Sequence, residues 1–224
     1  MSNTLDLTGT DAAHGLEKLQ QQFASVAPGE AFELVVSGDA GSLLRGMQEK
    51  HWGAFDWAPL AATSGAATFW VKKLANPLKT RQIGEFMTGD HRRCDSVFVN
   101  LEQEATAGNK ETTSRYFGQF ELGMLHHFDM EEKVFFPAFE NRTGMTRGPT
   151  TVMRMEHDQM RGILKQMRQS LEGGDTGGVA RACTTLLMVM QQHNIKEEQM
   201  LYAMGDMHLG SDGDTLTRQM QALQ

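Results

Sequence analysis

Two stretches of the chain repeat one arrangement of charged and apolar residues. Residues 126–137 read HHFDMEEKVFFP, and residues 193–202 read HNIKEEQMLY. Each places a glutamate four residues after a histidine: His127 with Glu131, and His193 with Glu197. On a helix, residues four apart project from the same face, one turn above the other. A single pair of this kind is an ordinary solvated salt bridge. The repeat goes further, because a shift of 66 residues also carries His91 onto His157 and Glu132 onto Glu198. Lys133-Val-Phe-Phe-Pro-Ala and Gln199-Met-Leu-Tyr-Ala-Met then match in kind.

From residue 83 onward the hydrophobic spacing predicts four long helices, at about 83–106, 110–140, 147–172 and 177–206. Ala107-Gly108-Asn109, Asn141–Gly148 and the glycine-rich Glu172–Gly178 separate them. Short breaks make successive helices antiparallel neighbours, which predicts an all-α up-down four-helix bundle over 83–207. Loop centres near 108–109, 144 and 175 then set the heights. His91 falls beside His127, His157 beside Met130 and Glu131, and His157 beside His193. Four histidines and two glutamates converge on one interior layer. Burying that many ionisable groups costs several kcal/mol each unless a cation or mutual pairing offsets it. The expected metal ligands are therefore His91, His127, Glu131, His157, His193 and Glu197.

Nitrogen and carboxylate donors without thiolate suit iron or manganese, and suit zinc less well for a pair bridged by two carboxylates. The simplest division gives His91 and His127 to one iron, His157 and His193 to the other, with Glu131 and Glu197 bridging. An oxo or hydroxo bridge would leave each iron one open position. Asp95, one turn after His91, is a candidate acceptor for that ring's second nitrogen, and Glu156, beside His157, is another candidate neighbour of the site. Arg161 cannot donate a lone pair, but its charge could hold an anionic ligand. His126, about 100° around the helix from His127, is expected to be exposed. Glu132 and Glu198 are expected to solvate the surface, and Tyr202 to pack the core with the phenylalanines. Cys94 reads as a buried inert thiol, or less readily as a neighbour of the metals.

These elements resemble the paired HxxxE elements of hemerythrin-like, or HHE cation-binding, domains. The four-histidine, two-glutamate count is similar to the di-iron proteins associated with repair of iron centres. The resemblance implies a di-iron protein that binds, and in one reading reduces, nitric oxide, oxygen or peroxide under nitrosative or oxidative stress. Alternatives are an oxygen or redox sensor signalling through the N-terminal part, and iron storage or delivery to damaged iron–sulfur centres. Oxygen-carrying hemerythrins have a fifth histidine, in an HxxxH, where this chain has Arg161. That departure weighs against reversible oxygen carriage.

The first 74 residues have a different texture. Thr4–Thr8 alternates as a short strand, Ala12–Val26 is helical, and Ala31–Ser37 is rich in β-formers. Asp39 is placed to cap a helix through Leu43, Leu44 and Met47, and Ala54–Leu60 and Ala67–Lys73 read as closing strands. The order β-α-β-α-β-β predicts a two-layer α+β domain. That order, with the opening LDLTG and PGEAFELV, resembles the TusA/SirA-like sulfur-carrier fold. The Cys-Pro pair of such carriers is missing here, so persulfide transfer is not expected. His14, His51, Trp52, Trp57 and Trp70 read as packing or surface residues. Residues 75–82, with Pro77, read as a linker, and 208–224 as a loosely attached polar tail.

A net charge of −7 argues against nucleic acid as a partner. No apolar stretch is long enough to span a bilayer, and none reads as a signal peptide. The two cysteines, Cys94 and Cys183, form neither a CxxC motif nor a disulfide framework, which fits a reducing cytoplasm.

Overall fold

The computed structural model describes residues 3–37, 41–51, 54–62, 65–77 and 82–223. Asp39, Trp52 and linker residues 78–81 lie outside them, so the expectations placed there have no structural counterpart.

The N-terminal part runs β1 (Thr4–Asp6), α1 (Ala12–Ser25), β2 (Ala31–Val36), α2 (Gly41–His51), β3 (Phe55–Ala62) and β4 (Ala67–Lys73). Asp11 opens α1 by accepting the Ala13 and His14 backbone N–H groups. The sheet is mixed, in the order β1-β2-β4-β3, with β1 parallel to β2 and the other pairs antiparallel. Alternation along β2 sends Phe32, Leu34 and Val36 to one face. There they pack with Leu19 and Phe23 of α1 and with Leu43, Leu44 and Met47 of α2.

The helical part contains α3 (Ile83–Thr106), α4 (Lys110–Met130), α5 (Phe136–Thr143), α6 (Pro149–Glu172), α7 (Thr176–Lys196), α8 (Tyr202–Leu209) and α9 (Gly213–Gln221). α3 packs against α4 and α7, and α6 packs against the same two, which closes a ring of four long helices. The edge strand β3 packs against α4, so one side of the small sheet is covered by the helical part.

Two apolar clusters fill the ring at different heights. One gathers Phe98, Phe120, Phe128, Met160, Leu186 and Met190, and the other gathers Met87, Met130, Phe135, Phe139, Met153 and Leu201. The histidine–glutamate layer lies between them. His91 and His157 thus occupy core positions of their helices, flanked by Met87 and Cys94 and by Met153 and Met160.

Two features depart from the sequence reading. First, the second and fourth long helices are interrupted by single π-helical turns, at Glu131–Phe135 and Glu197–Leu201. Phe136 N–H donates to Glu131 O, and Tyr202 N–H donates to Glu197 O, each five residues back. Such turns concentrate at functional sites. Second, residues 208–223 are not a loose tail. After a 3₁₀ turn at Gly210–Asp212, α9 buries Leu216 and Met220 in the cluster of Met87 and Leu201, and Arg142 binds Asp212 at 2.5 Å and the His208 carbonyl at 2.8 Å. An apolar pair four residues apart in a polar stretch is enough to dock so short a helix.

Candidate metal centre

The six residues expected as ligands are all buried and meet in the layer between the two apolar clusters. Glu131, His157 and Glu197 have no exposed surface, and His91 is the most exposed of the six at 5%. The π turns begin at the two glutamates, so the carboxylates sit where each helix changes its winding.

Each imidazole is held from behind by a carboxylate. His91 Nδ1 lies 2.7 Å from Glu198, His127 Nδ1 2.9 Å from Asp90, His157 Nδ1 2.7 Å from Glu132, and His193 Nδ1 3.0 Å from Glu156. The 66-residue shift of the sequence relates these carboxylates in pairs, Asp90 to Glu156 and Glu132 to Glu198. An acceptor at every Nδ1 fixes a proton there and turns Nε2 inward, as the nitrogen available to a cation. The inward nitrogens are paired, His91 with His127 at 3.1 Å and His157 with His193 at 3.2 Å.

The glutamates span the two pairs. Glu131 Oε2 is 3.1 Å from His157 Nε2 and 3.6 Å from His127 Nε2. Glu197 reaches His193 Nε2 at 3.1 Å through Oε1 and His91 Nε2 at 3.3 Å through Oε2. Glu131 Oε2 and Glu197 Oε1 are nevertheless buried without a hydrogen-bond partner. Four Nε2 atoms, and two carboxylate oxygens with no hydrogen-bond partner among the described residues, face a common interior, where a cation that displaces the imidazole protons would meet six inward donors. That donor set fits metal cations, with nitrogen and oxygen suited to iron or manganese.

Three of the four outer carboxylates carry cations of their own. Asp90 binds Arg93 at 2.8 Å, Glu156 binds Lys196, and Glu132 takes two bonds of 3.0 Å from Arg161. Burial alone would raise the Asp90 value, but Arg93 and His127 hold it well below the usual carboxylate range. Glu132, likewise opposed by burial, is held at about 2 by His157 and Arg161.

Four expectations are corrected here. Asp95 is exposed, and Glu198 takes the place beside His91 that was expected for it. Glu132 is half-buried and orients the His157 ring, where a solvated residue is expected; Glu198 is exposed as expected, yet it orients the His91 ring. His126 is buried, its ring 5.7 Å from that of Trp57 on β3. The direction 100° away from His127 leads to the N-terminal sheet instead of to water. Arg161 is committed to Glu132 and Asp158, and lies over the Phe128 ring.

Glu156 does lie beside the site, on His193. Cys94 is buried next to Arg93 with its thiol pushed up to about 12, chiefly by burial, which makes it inert. Two residues were missed. Asp90 had a signal, an acid directly before each lone histidine (Asp90-His91 and Glu156-His157). Tyr202 had none, since only the π turn brings its hydroxyl to Glu131 at 2.9 Å and Glu197 at 3.1 Å.

In the metal-free protein burial would lower the His91 and His157 values, yet the facing glutamates prevail and push both up to about 9. These raised values stabilise the metal-free fold fully below the ordinary value of 6.5, and the contribution is lost as pH rises through about 9. A metal must displace these protons. Loading at pH 7 is therefore expected to release at least about two protons per chain, with affinity rising toward pH 9. Metal titration in a pH-stat checks this, and loading without proton release would contradict it.

The family model of the hemerythrin HHE cation-binding domain matches residues 82–205. Comparison with curated proteins and with solved structures gives no match. The match spans more than half of the chain and both histidine–glutamate repeats. By that match and by its buried cluster of histidines and glutamates, the chain belongs to the hemerythrin HHE cation-binding domain family, whose domains bind metal ions, typically iron.

Proposed function

We propose that the helical part is an up-down four-helix bundle holding a non-haem di-iron centre that binds small diatomic or peroxidic ligands. The observation that carries this reading is the inward turn of all four Nε2 atoms, each set by a carboxylate on Nδ1. His91 and His127 would hold one iron, His157 and His193 the other. Glu131 and Glu197 would bridge, since each lies within 3.6 Å of a ring from both pairs. Iron held there supplies electrons and Lewis acidity to oxygen, nitric oxide or peroxide.

The protein's own residues supply geometry and exclude water. Phe128 stacks on His157 with ring centroids 4.2 Å apart, and Phe136 stacks on the same ring at 5.9 Å. Both are fully buried, so the His157–His193 side is walled by apolar surface that excludes bulk water.

On this reading azide perturbs the diferric charge-transfer spectrum, and nitric oxide binds the diferrous form. Anaerobic optical titration tests both. Indifference to both ligands would leave storage or structure as the better account.

A sensor is the second reading, favoured by one contact. His126 and Asp90 join the metal layer to the N-terminal sheet: His126 lies on Trp57, and Asp90 orients His127 while lining a cavity of about 650 Å³ between the two parts. Turnover with an electron donor separates the two, because a reductase consumes its substrate whereas a sensor saturates.

A further inference from the structure

The histidine–glutamate layer is two-fold symmetric in its imidazoles and carboxylates, but not in what stands five residues after each glutamate. After Glu131 comes Phe136, and after Glu197 comes Tyr202. In a regular α-helix a residue five along points about 140° away. The π turns at both glutamates close i→i+5 hydrogen bonds and swing those residues back over the layer. One half therefore presents an apolar ring, the other a hydroxyl.

That hydroxyl sits among the ligand atoms. Tyr202 Oη is 2.9 Å from Glu131 Oε1, 3.1 Å from Glu197 Oε2 and 3.3 Å from His91 Nε2, in a side chain only 1% exposed. Donors bound at roughly 2.0–2.2 Å to one metal lie about 3 Å apart when adjacent. The three distances fit neighbouring ligands on a shared ion as well as they fit hydrogen bonds. The hydroxyl has one proton and faces two carboxylates, so hydrogen bonding alone satisfies only one of them fully.

We propose that Tyr202 is a further protein ligand of the metal held by His91 and His127, which makes the two metal positions chemically unequal. This rests on the di-iron reading above. On coordination the O–H bond breaks, the proton passes to solvent, and the oxygen donates a lone pair to the ferric ion. No electron is transferred. The iron of His91 and His127 then has five protein donors (two imidazoles, two carboxylates and the phenolate). The iron of His157 and His193 has four, with Phe136 in the equivalent place. Exogenous ligands bind at the latter, beside Phe128 and Phe136.

Resonance Raman spectroscopy of the iron-loaded, air-oxidised full chain tests this. A ferric phenolate gives a visible charge-transfer band and enhanced ring modes that shift when tyrosine is ring-deuterated. The chain has two tyrosines, and Tyr116 packs against the other apolar cluster beside Arg115. The modes are expected in the wild-type protein and in Tyr116→Phe. They are expected to vanish in Tyr202→Phe while two irons per chain remain. Two bound irons with no tyrosine modes in the wild type, or modes that survive Tyr202→Phe, overturn the proposal and leave the di-iron reading standing. A folded chain that binds no iron overturns both.

Discussion

Glu197→Ala is expected to abolish tight binding of both metal ions, not one. Glu197 is the residue whose two oxygens reach separate imidazole pairs, His193 through Oε1 at 3.1 Å and His91 through Oε2 at 3.3 Å. A carboxylate between two cations offsets their repulsion as well as binding each, so its loss weakens both sites together. The effect should exceed the roughly 10–100-fold loss of affinity typical when a residue behind a ligand is removed. Metal content after gel filtration, compared with His193→Ala, checks this. Retention of one firmly bound iron in Glu197→Ala would show that the carboxylate serves a single ion.

Glu132→Ala is expected to lower metal affinity by about 10–100-fold at the site of His157. By its angle on the helix, Glu132 reads as a solvated residue whose removal would be nearly silent. In the structure it accepts from His157 Nδ1 at 2.7 Å and is itself clamped by Arg161. Without it the His157 proton is free to move to Nε2, the nitrogen that must bind metal, and the Arg161 guanidinium keeps only Asp158 as a partner. Competition against a chelator of known affinity measures the effect. An affinity equal to that of the unaltered chain would mean that the ring needs no support from behind.

The contrast between these two residues shows what the sequence carries and what it hides. Ligand positions follow from helical period and loop length, because His91, His127, His157 and His193 are core positions of four helices whose ends are marked by glycine-rich breaks. The 66-residue repeat then places them at one height. Residues behind the ligands obey a different geometry. Glu132, Glu156, Glu198 and Asp90 each lie beside a ligand on their own helix and reach the back of a ring on another. Periodicity within one helix says nothing of that reach. The π turns are hidden for a related reason: one extra residue per turn leaves no mark in an apolar pattern as dense as Val134-Phe135-Phe136. Tyr202 read as core packing because its distance from Glu197 is five residues, the wrong spacing for an α-helix. His126 reads as exposed and α9 as part of a loose polar tail because the surfaces they cover, Trp57 and the cluster of Met87 and Leu201, come from distant parts of the chain.

The central expectation for this protein is two metal ions in one histidine–glutamate layer. Iron analysis of the full chain, loaded anaerobically and freed of loose metal, with a Mössbauer spectrum of the same sample, tests this most directly. Two irons per folded chain are expected, forming an interacting pair that is lost when His91, His127, His157 and His193 are replaced together. One iron or none per folded chain, or two that survive loss of the four histidines, would contradict it.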